Sequence, residues 1–368
     1  MVLFNILCHA DRQKLTMALA HRGSAPMADR LPPDVEVFDY LAQGNYYFGL
    51  ARRAYHRLRV KQDRAPDNLR LKRIHEQFKP DLWYINAITQ PEVLRQARKY
   101  GIPCVLHSHE LEPMFHYVSV EDLGTLIEYP RLIIACSEAV EQVYRRLGRR
   151  GAIEVCYGMI DVSRVKADEA RTRALRQELG VSDGAFVWLM SGTLTPNKNP
   201  VLFVEILNEL LQKGHNTHFI WLGGGESGYS EYAKAKAVDL GVAERIAWMG
   251  VRDEDYYDYF NAADGFVLTS KRDSFPLVLI EAAALGKPIV SLDSGGVREF
   301  VLNKMGKVVS DSHGGESLVE TMERVMMNDM VFDPSVSRER AREFDVSVRA
   351  RTWERIMSSH FPTNNGSG

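Results

Sequence analysis

The chain has 368 residues, of which 45% are hydrophobic and 26% charged, and its formal net charge at pH 7 is -2. This length favours two domains, and this composition is typical of a soluble globular protein. The near-neutral charge gives no support to nucleic acid as a partner, and no apolar run reaches the roughly 20 residues that a membrane-spanning helix needs.

The chain opens with a helical pattern instead of a strand. "MVLFNILCHADRQ" is typical of a helix, and "KLTMALAH" follows it as the first strand. A doubly wound domain normally begins with a strand and a glycine-containing turn. We therefore expect the first strand of this domain to be missing, either because Met1 is an internal methionine of a longer natural chain or because the domain is unusual.

Residues 52–79 are rich in lysine and arginine, with ten basic side chains against three acidic ones. Leu71, Ile74 and Phe78 recur at helical spacing, so one interpretation is a solvated helix face. The other is a cationic surface for an anionic lipid or acceptor, which would bring the protein to the inner face of a membrane.

Short apolar runs then alternate with helical patterns along the rest of the chain. Such alternation predicts parallel sheets covered by helices on both faces. The runs read as strands are "DLWYINA", "PCVLHSHE", "RLIIACSE", "IEVCYG", "FVWLMSG", "HFIWLGGG", "RIAWMG", "GFVLTS", "KPIVSLD" and "GKVVSD".

The four cysteines are far apart and form no CxxC pair, which favours free thiols in a reducing cytoplasm. The pattern changes between Gly158 and Gly180, and we place the first domain at residues 1–163 and the second at 164–344. The helical pattern of residues 345–361 follows the second series of strands and is predicted to pack back on the first domain. Residues 362–368 are polar and turn-rich, which predicts a disordered tail or a linker.

Three glycine-containing turns follow strands of the second half, in "SGTLTPNKNP", "LGGGES" and "SLDSGGVRE". Ligands of open parallel sheets bind at the carboxyl ends of the strands, where helix N-termini suit phosphate. Gly192 would let the backbone come close to a ligand, and Lys198 would supply a cation nearby. Each turn alone is equally typical of an ordinary surface turn, but together they predict one ligand-lined edge.

Glu281 lies inside the apolar run of "SKRDSFPLVLIEAAALGKPIV". An ionised carboxylate that is buried without partners is strongly destabilising. Asp273 would lie in the preceding loop, and Pro276 is tolerated in the first turn of the helix that carries Glu281. We therefore expect a polar ligand, such as sugar hydroxyls, to cover Glu281.

Together these segments resemble the nucleotide-sugar-binding half of the retaining GT-B glycosyltransferases of family 4, through "SGTLTPNKNP", "FIWLGGGES" and the run from Trp248 to Val301. The first domain is similar more loosely, through "PDLWYINA", "PCVLHSHELEP", "LIIACSEAV" and "IEVCYGMID". The resemblance implies an α/β fold of two Rossmann-like domains facing a cleft. It also implies a retaining, metal-independent transferase that moves a sugar from a nucleotide-diphosphate sugar to a glycan or lipid-linked acceptor, in cell-surface polysaccharide or glycolipid synthesis.

The resemblance implies roles for individual residues. Glu281 would bind the donor ribose, Lys198 would neutralise the diphosphate, and Asp273, where the family usually has Glu, would lie near the donor sugar or its phosphate. His109 would approach the donor sugar from the first domain. The other implied donor-binding residues are Gly192, Thr193, Gly224, Val251, Arg252, Arg272, Ser274, Phe275, Pro276, Leu277, Gly295, Gly296 and Glu299.

Thr193 stands where the family usually has an arginine, so one diphosphate cation is either absent or supplied elsewhere, with Arg272 or Arg252 as the candidate. His107, His109 and Glu110 lack a convincing set of metal-ligand partners, and no cofactor is expected beside the nucleotide sugar. Two other interpretations stay open. One is a non-catalytic nucleotide-sugar-binding protein, favoured by Thr193 and the short N-terminus, and the other is an epimerase or phosphorylase of similar two-domain shape.

Overall fold

The computed structural model describes residues 1–21, 27–40, 66–225, 228–310 and 317–362. The chain divides into two compact units. Unit 1 comprises Met1–Cys136, Val140–Cys156 and Ala350–Gly368, and unit 2 comprises Ser137–Ala139 and Tyr157–Arg349. We predicted the domain boundary after residue 163, whereas the two units divide after Cys156. Most of the predicted C-terminal helix belongs to unit 1. The predicted tail lies outside the described residues, except for Pro362.

Unit 1 contains two parallel sheets in its described residues, one of strands β1 and β2 and one in the order β3-β4-β5-β6. Strand β5 is buried at every position, as expected of an inner strand in a parallel sheet. The strands are β1 Ala18–His21, β2 Glu36–Asp39, β3 Trp83–Asn86, β4 Cys104–Ser108, β5 Leu132–Ala135 and β6 Ala152–Val155.

The α-helices before and between these strands include the predicted opening helix. They are α1 Val2–His9, α2 Pro66–Phe78, α3 Pro91–Tyr100, α4 Val120–Glu128 and α5 Glu138–Arg146. Leu71, in the base-rich segment, is buried on α2 as its helical spacing predicts. The basic residues from Arg52 to Arg64 lie outside the described residues.

Unit 2 contains a six-stranded parallel sheet in the order β12-β11-β10-β7-β8-β9. The strand order reverses between β7 and β10, which makes the carboxyl edge there the topological switch point of a doubly wound sheet. The strands are β7 Phe186–Ser191, β8 Thr217–Leu222, β9 Ile246–Trp248, β10 Gly265–Leu268, β11 Ile289–Leu292 and β12 Gly306–Val309. The α-helices that follow β6 in the chain are α6 Glu169–Glu178, α7 Pro200–Gln212, α8 Gly228–Asp239, α9 Tyr256–Ala262, α10 Leu277–Ala284, α11 Val297–Phe300, α12 Leu318–Met326, α13 Pro334–Glu343 and α14 Val346–His360. From Ala350 onward, α14 belongs to unit 1.

The fold class predicted from the sequence is confirmed, since both units are α/β with parallel sheets. Every apolar run that was read as a strand contains one. Strand β2 was missed because it is only four residues long and only Val37 and Phe38 in it are apolar. None of the helices in the described ranges has the length and apolar character of a membrane span.

The core of unit 2 depends on a close approach between β7 and β10. Gly265 pairs with Trp188, and a Cβ atom at Gly265 would lie 2.5 Å from Cζ3 of that indole. The Trp188 side chain is fully buried and cannot move aside. A glycine is therefore required at the first residue of β10.

We predict that Gly265→Ala lowers the free energy of unfolding by about 1–3 kcal/mol, because it overpacks the core. Urea unfolding followed by tryptophan fluorescence measures this. Gly124→Ala is the control, since Gly124 lies inside α4 and a Cβ atom there would meet no other atom within 4 Å. Alanine at that position should be neutral or stabilising. Equal stability of the Gly265 variant and the parent would contradict the prediction.

Candidate functional site

The loops after β7 and β10 meet at the switch point of unit 2 through an ion pair. Lys198 Nζ lies 2.7 Å from Asp273 Oδ2, and the two side chains are 23% and 16% exposed. The Thr269 hydroxyl, buried at the end of β10, donates to the Lys198 carbonyl at 2.8 Å. Two residues 75 positions apart in the chain are thus held together at the carboxyl edge of the sheet.

Glycines allow these loops to pack closely. A Cβ atom at Gly192 would lie 3.2 Å from Cδ of Lys198, so the lysine stem crosses the Gly192 backbone. Gly223 has φ +120°, and a Cβ atom there would lie 2.2 Å from the Gly192 carbonyl oxygen. The Trp221 indole donates to that same oxygen at 2.8 Å. The loops after β7 and β8 therefore pack directly against each other.

The loop after β11 joins this edge through the backbone of Asp273. The Asp273 N–H donates to the Ser294 carbonyl at 2.5 Å, and the Gly296 N–H donates to the Asp273 carbonyl at 3.0 Å. A Cβ atom at Gly296 would lie 2.1 Å from the Ser274 carbonyl oxygen. The backbone of Asp273 is therefore fixed on both sides while its carboxylate holds Lys198.

Glu281 lies on α10, and its partners are tyrosines. Tyr256 and Tyr257 donate their hydroxyls to the two carboxylate oxygens, at 3.0 and 3.3 Å. Because the Tyr256 proton goes to the carboxylate, the Ser191 hydroxyl, 2.8 Å away, can donate to the Tyr256 oxygen. The sequence led us to expect a ligand as the partner of this acid, whereas the protein itself supplies two hydroxyl donors.

Burial raises the pKa of Glu281 from 4.5 to about 7, and the two tyrosine hydrogen bonds act against that rise. A carboxylate without a nearby cation is costly to desolvate, and hydroxyl donors offset only part of that cost. The pKa values of Tyr256 and Tyr257 are raised, first by burial and then by the Glu281 charge. Neither tyrosine was predicted from the sequence, although the adjacent pair in "YYDYF" was a visible signal.

Three other predicted residues are exposed around this edge. Val251 is 83% exposed, and Thr193 and Arg272 are also exposed. Asn197 donates from its side chain to the Arg272 carbonyl at 2.8 Å, which places Arg272 beside the loop of Lys198. A Cβ atom at Gly224 would lie 3.0 Å from Cγ2 of Val251.

Arg252, the other candidate for the missing cation, is directed to α9. Its Nη1 atom lies 3.7 Å from Asp255, and its guanidinium lies 5.2 Å from the centre of the Tyr259 ring. Its charge is therefore already engaged within unit 2. Arg272, by contrast, is bonded through its carbonyl to Asn197 in the loop of Lys198.

The remaining predicted residues have structural partners. Phe275 is 7% exposed and packs on Tyr157 and Phe344, with ring centres 5.0 and 5.3 Å apart. Pro276 is the N-cap of α10, and Leu277 begins that helix.

The carboxylate of Glu299 also has partners within the protein. It accepts the backbone N–H groups of Glu138 and Ala139, at 2.7 and 2.9 Å. Burial raises the pKa of Glu299 above 4.5, and these hydrogen bonds act against the rise. A donor-binding role for Glu299, as for Phe275, remains a prediction.

His109 lies in unit 1, at the end of β4. Its Nε2 atom is 3.0 Å from Asn86 Oδ1 at the end of β3, and its ring centre is 4.2 Å from that of His107. Burial lowers the pKa of His109 from 6.5 to about 4, so the ring is neutral at pH 7. The described residues contain no group of three or more His, Cys, Asp or Glu side chains that could hold a metal ion.

Comparison with known proteins gives matches in both units. Residues 171–344 match the family model described as glycosyl transferases group 1, and residues 19–164 match that of glycosyltransferase family 4. The chain is 26% identical to D-inositol 3-phosphate glycosyltransferase of Streptomyces avermitilis over 72% of this chain and 60% of that protein. It is 31% identical to the enzyme of the same name from Corynebacterium efficiens over 44% of this chain and 39% of that protein.

The chain thus spans less than two thirds of the length of these two relatives. Among solved structures it is similar to HepE of Anabaena, determined in complex with UDP and glucose. The TM-score is 0.78 at 21% identity, over 97% of this chain and 95% of that one. At this level of identity the match establishes a shared fold.

The pKa of Glu281 predicts a pH-dependent stability. The folded protein keeps the Glu281 proton up to about pH 7, whereas the unfolded chain releases it near pH 4.5. The contribution of Glu281 to the free energy of unfolding should therefore fall by about 3 kcal/mol as pH rises from 4.5 to 7. Glu281→Gln should abolish this slope in urea unfolding measured across that range.

Tyr257→Phe is the matched variant. It removes one hydroxyl that stabilises the ionised carboxylate, so the upper end of the pH window should move above 7. If the Gln variant and the parent show the same pH slope, Glu281 does not titrate as described.

Proposed function

The chain belongs to the group 1 glycosyltransferases of GT-B fold, and from this membership we propose that it transfers a sugar from a nucleotide-diphosphate sugar to an acceptor hydroxyl. The observation that carries the proposal is the Lys198–Asp273 pair at the switch point of the unit 2 sheet. Doubly wound sheets bind nucleotides at that position. An ammonium group held there by one carboxylate suits a diphosphate that arrives with its own negative charge.

The donor would lie along the loops that follow β7, β8, β10 and β11. Gly192, Gly224, Gly295 and Gly296 lack side chains that would keep the pyrophosphate from the backbone. The structure of HepE with UDP and glucose supports a uridine or related nucleotide as the class of donor. The ribose would contact Glu281. Each carboxylate oxygen of Glu281 accepts one tyrosine hydrogen bond and has a second lone pair that can accept another from the ribose.

The proposed reaction breaks the bond between the sugar C1 and the β-phosphate oxygen and forms a bond between C1 and the acceptor oxygen. The acceptor proton passes to the leaving phosphate on the same face, so that the configuration at C1 is retained. Lys198 would stabilise the charge that develops on the diphosphate, which is an electrostatic role that requires no metal ion. His109 would contact the sugar.

The acceptor is proposed to be a glycan or lipid-linked molecule, in polysaccharide or glycolipid synthesis. The names of the relatives from Streptomyces avermitilis and Corynebacterium efficiens include an inositol phosphate, which is consistent with a polyhydroxylated acceptor. A cytoplasmic location with peripheral contact to an anionic membrane is part of the same proposal. Salt-sensitive binding to anionic vesicles would support that contact.

The proposal predicts that Lys198→Ala reduces kcat/KM for sugar transfer by about 10²–10³-fold, because one electrostatic contact to the leaving group is lost. A thermal-shift panel of UDP-, GDP-, ADP- and TDP-sugars first identifies the donor, since a ligand at 100 times its Kd adds about 2.7 kcal/mol of stability. Transfer is then measured with that donor. Lys234→Ala is the control, because Lys234 is an exposed lysine of α8 paired with Glu231.

The same experiment separates the other interpretations. Donor binding without transfer to any acceptor would favour a non-catalytic nucleotide-sugar-binding protein. Conversion of the donor without acceptor, or only with inorganic phosphate, would favour an epimerase or phosphorylase. Full activity of the Lys198 variant would contradict the assigned role of Lys198.

A further inference from the structure

The protonation of His109 is fixed by its contact with Asn86. The carboxamide Oδ1 of Asn86 is an acceptor, so the His109 nitrogen 3.0 Å away, Nε2, must carry the proton. The neutral ring then has a lone pair on Nδ1. No described residue bonds Nδ1, and His109 is partly exposed. An acceptor nitrogen is thus presented at the carboxyl edge of the unit 1 sheet.

The ring of His107 packs against His109 and is held by a chain of hydrogen bonds with other side chains. Trp353 on α14 donates its indole N–H to the Tyr84 hydroxyl at 3.1 Å, and the Tyr84 oxygen lies 2.6 Å from His107 Nδ1. Because the Tyr84 oxygen accepts from Trp353, its own proton is free to go to His107. His107 is fully buried, and its Nε2 has no hydrogen-bond partner in the described part of the chain.

The hydrogen bond from Tyr84 therefore holds the His107 ring in one orientation. The centre of this ring lies 4.2 Å from the centre of the His109 ring. A buried N–H group without a partner is costly, and such groups are uncommon in the interior of proteins. The His107 ring therefore packs against His109 at the cost of one unpaired N–H group.

We propose that Asn86 is a positioning residue that holds His109 in the Nε2–H tautomer, with the buried His107 ring behind it, so that Nδ1 accepts a hydrogen bond from a substrate hydroxyl. The inference rests on the proposed function, because a sugar substrate supplies the hydroxyl. A protonated Nδ1 could only donate, so the site requires a neutral ring.

Burial and the charged groups near His109 decide the charge of its ring. Burial is the largest cause of its low pKa, and the positive amino group of Met1 acts in the same direction. His107 is neutral because burial lowers its pKa well below 6.5. The Glu110 carboxylate accepts the His109 backbone N–H and the Ser108 hydroxyl, and burial raises its pKa. Asn86 is the neutral acceptor that completes this set.

Asn86→Asp tests the inference. The aspartate keeps an acceptor for Nε2–H, but its negative charge should raise the pKa of His109 by one to three units, roughly. Long-range proton–nitrogen NMR of histidine-labelled protein measures the tautomer and the pKa, with His109→Gln used to assign the signal. In the parent we expect protonated Nε2 and unprotonated Nδ1. In Asn86→Leu, which has no acceptor, both tautomers should be populated.

Kinetics supply the second readout. In Asn86→Asp the acidic limb of the kcat/KM profile for transfer should move to higher pH by the same amount as the pKa of His109, with activity recovered above it. Asn328→Asp is the matched control, since Asn328 is an exposed turn residue of unit 2. It should leave the tautomer and the pH profile unchanged.

Two failures are distinguishable. If the parent transfers sugar but its His109 is protonated on Nδ1, or if Asn86→Asp leaves the His109 pKa unchanged, the positioning role of Asn86 is wrong. If the NMR changes occur as described but no protein, parent included, turns over any donor, the tautomer assignment holds and the proposed function fails.

Discussion

The ion pair between Lys198 and Asp273 is the contact on which the unit 2 site depends, because it joins the loops that follow the two strands between which the sheet order reverses. Both partners are mostly removed from water, so loss of either would leave the other charge poorly compensated. The backbone of Asp273 is bonded to the loop after β11, and that of Lys198 to Thr269. The ion pair and these backbone contacts together fix the relative positions of three loops.

The two acids of this site are treated differently by the fold. Asp273 has a cation as its partner, whereas Glu281 has only tyrosine hydroxyls, and burial raises its pKa to about 7. Near neutral pH, Glu281 therefore exists partly as the acid and partly as the carboxylate. A ligand that donates hydroxyl groups to Glu281 would favour its carboxylate form. Binding of such a ligand to the protonated form of Glu281 should therefore release a proton.

The sequence predicted the strands and the glycine loops well because both are local signals. Runs such as "FVWLMSG" are apolar because strands β7 and β8 are buried along their length. Gly192 and Gly223 mark the turns that follow these two strands. Strand β2 was not recognised because its apolar signal is limited to Val37 and Phe38. The partners of Glu281 lie 24 and 25 positions away, so no spacing rule could connect them before the fold was known. The aromatic packing of Phe275 was missed for the same reason.

Units 1 and 2 place different kinds of polar group at the carboxyl edges of their sheets. In unit 2 a charged lysine is kept available by a single carboxylate, which suits a multiply charged phosphate. In unit 1 burial, without a carboxylate bonded to the ring, keeps His109 neutral and leaves it as an acceptor of hydrogen bonds. A cation at that position would compete for phosphate, whereas a neutral nitrogen discriminates in favour of hydroxyl groups. The proposed reaction needs both kinds of recognition: pairing with Asp273 holds the charged lysine at one edge, and burial removes from His109 the partial charge that a histidine carries near pH 6.5.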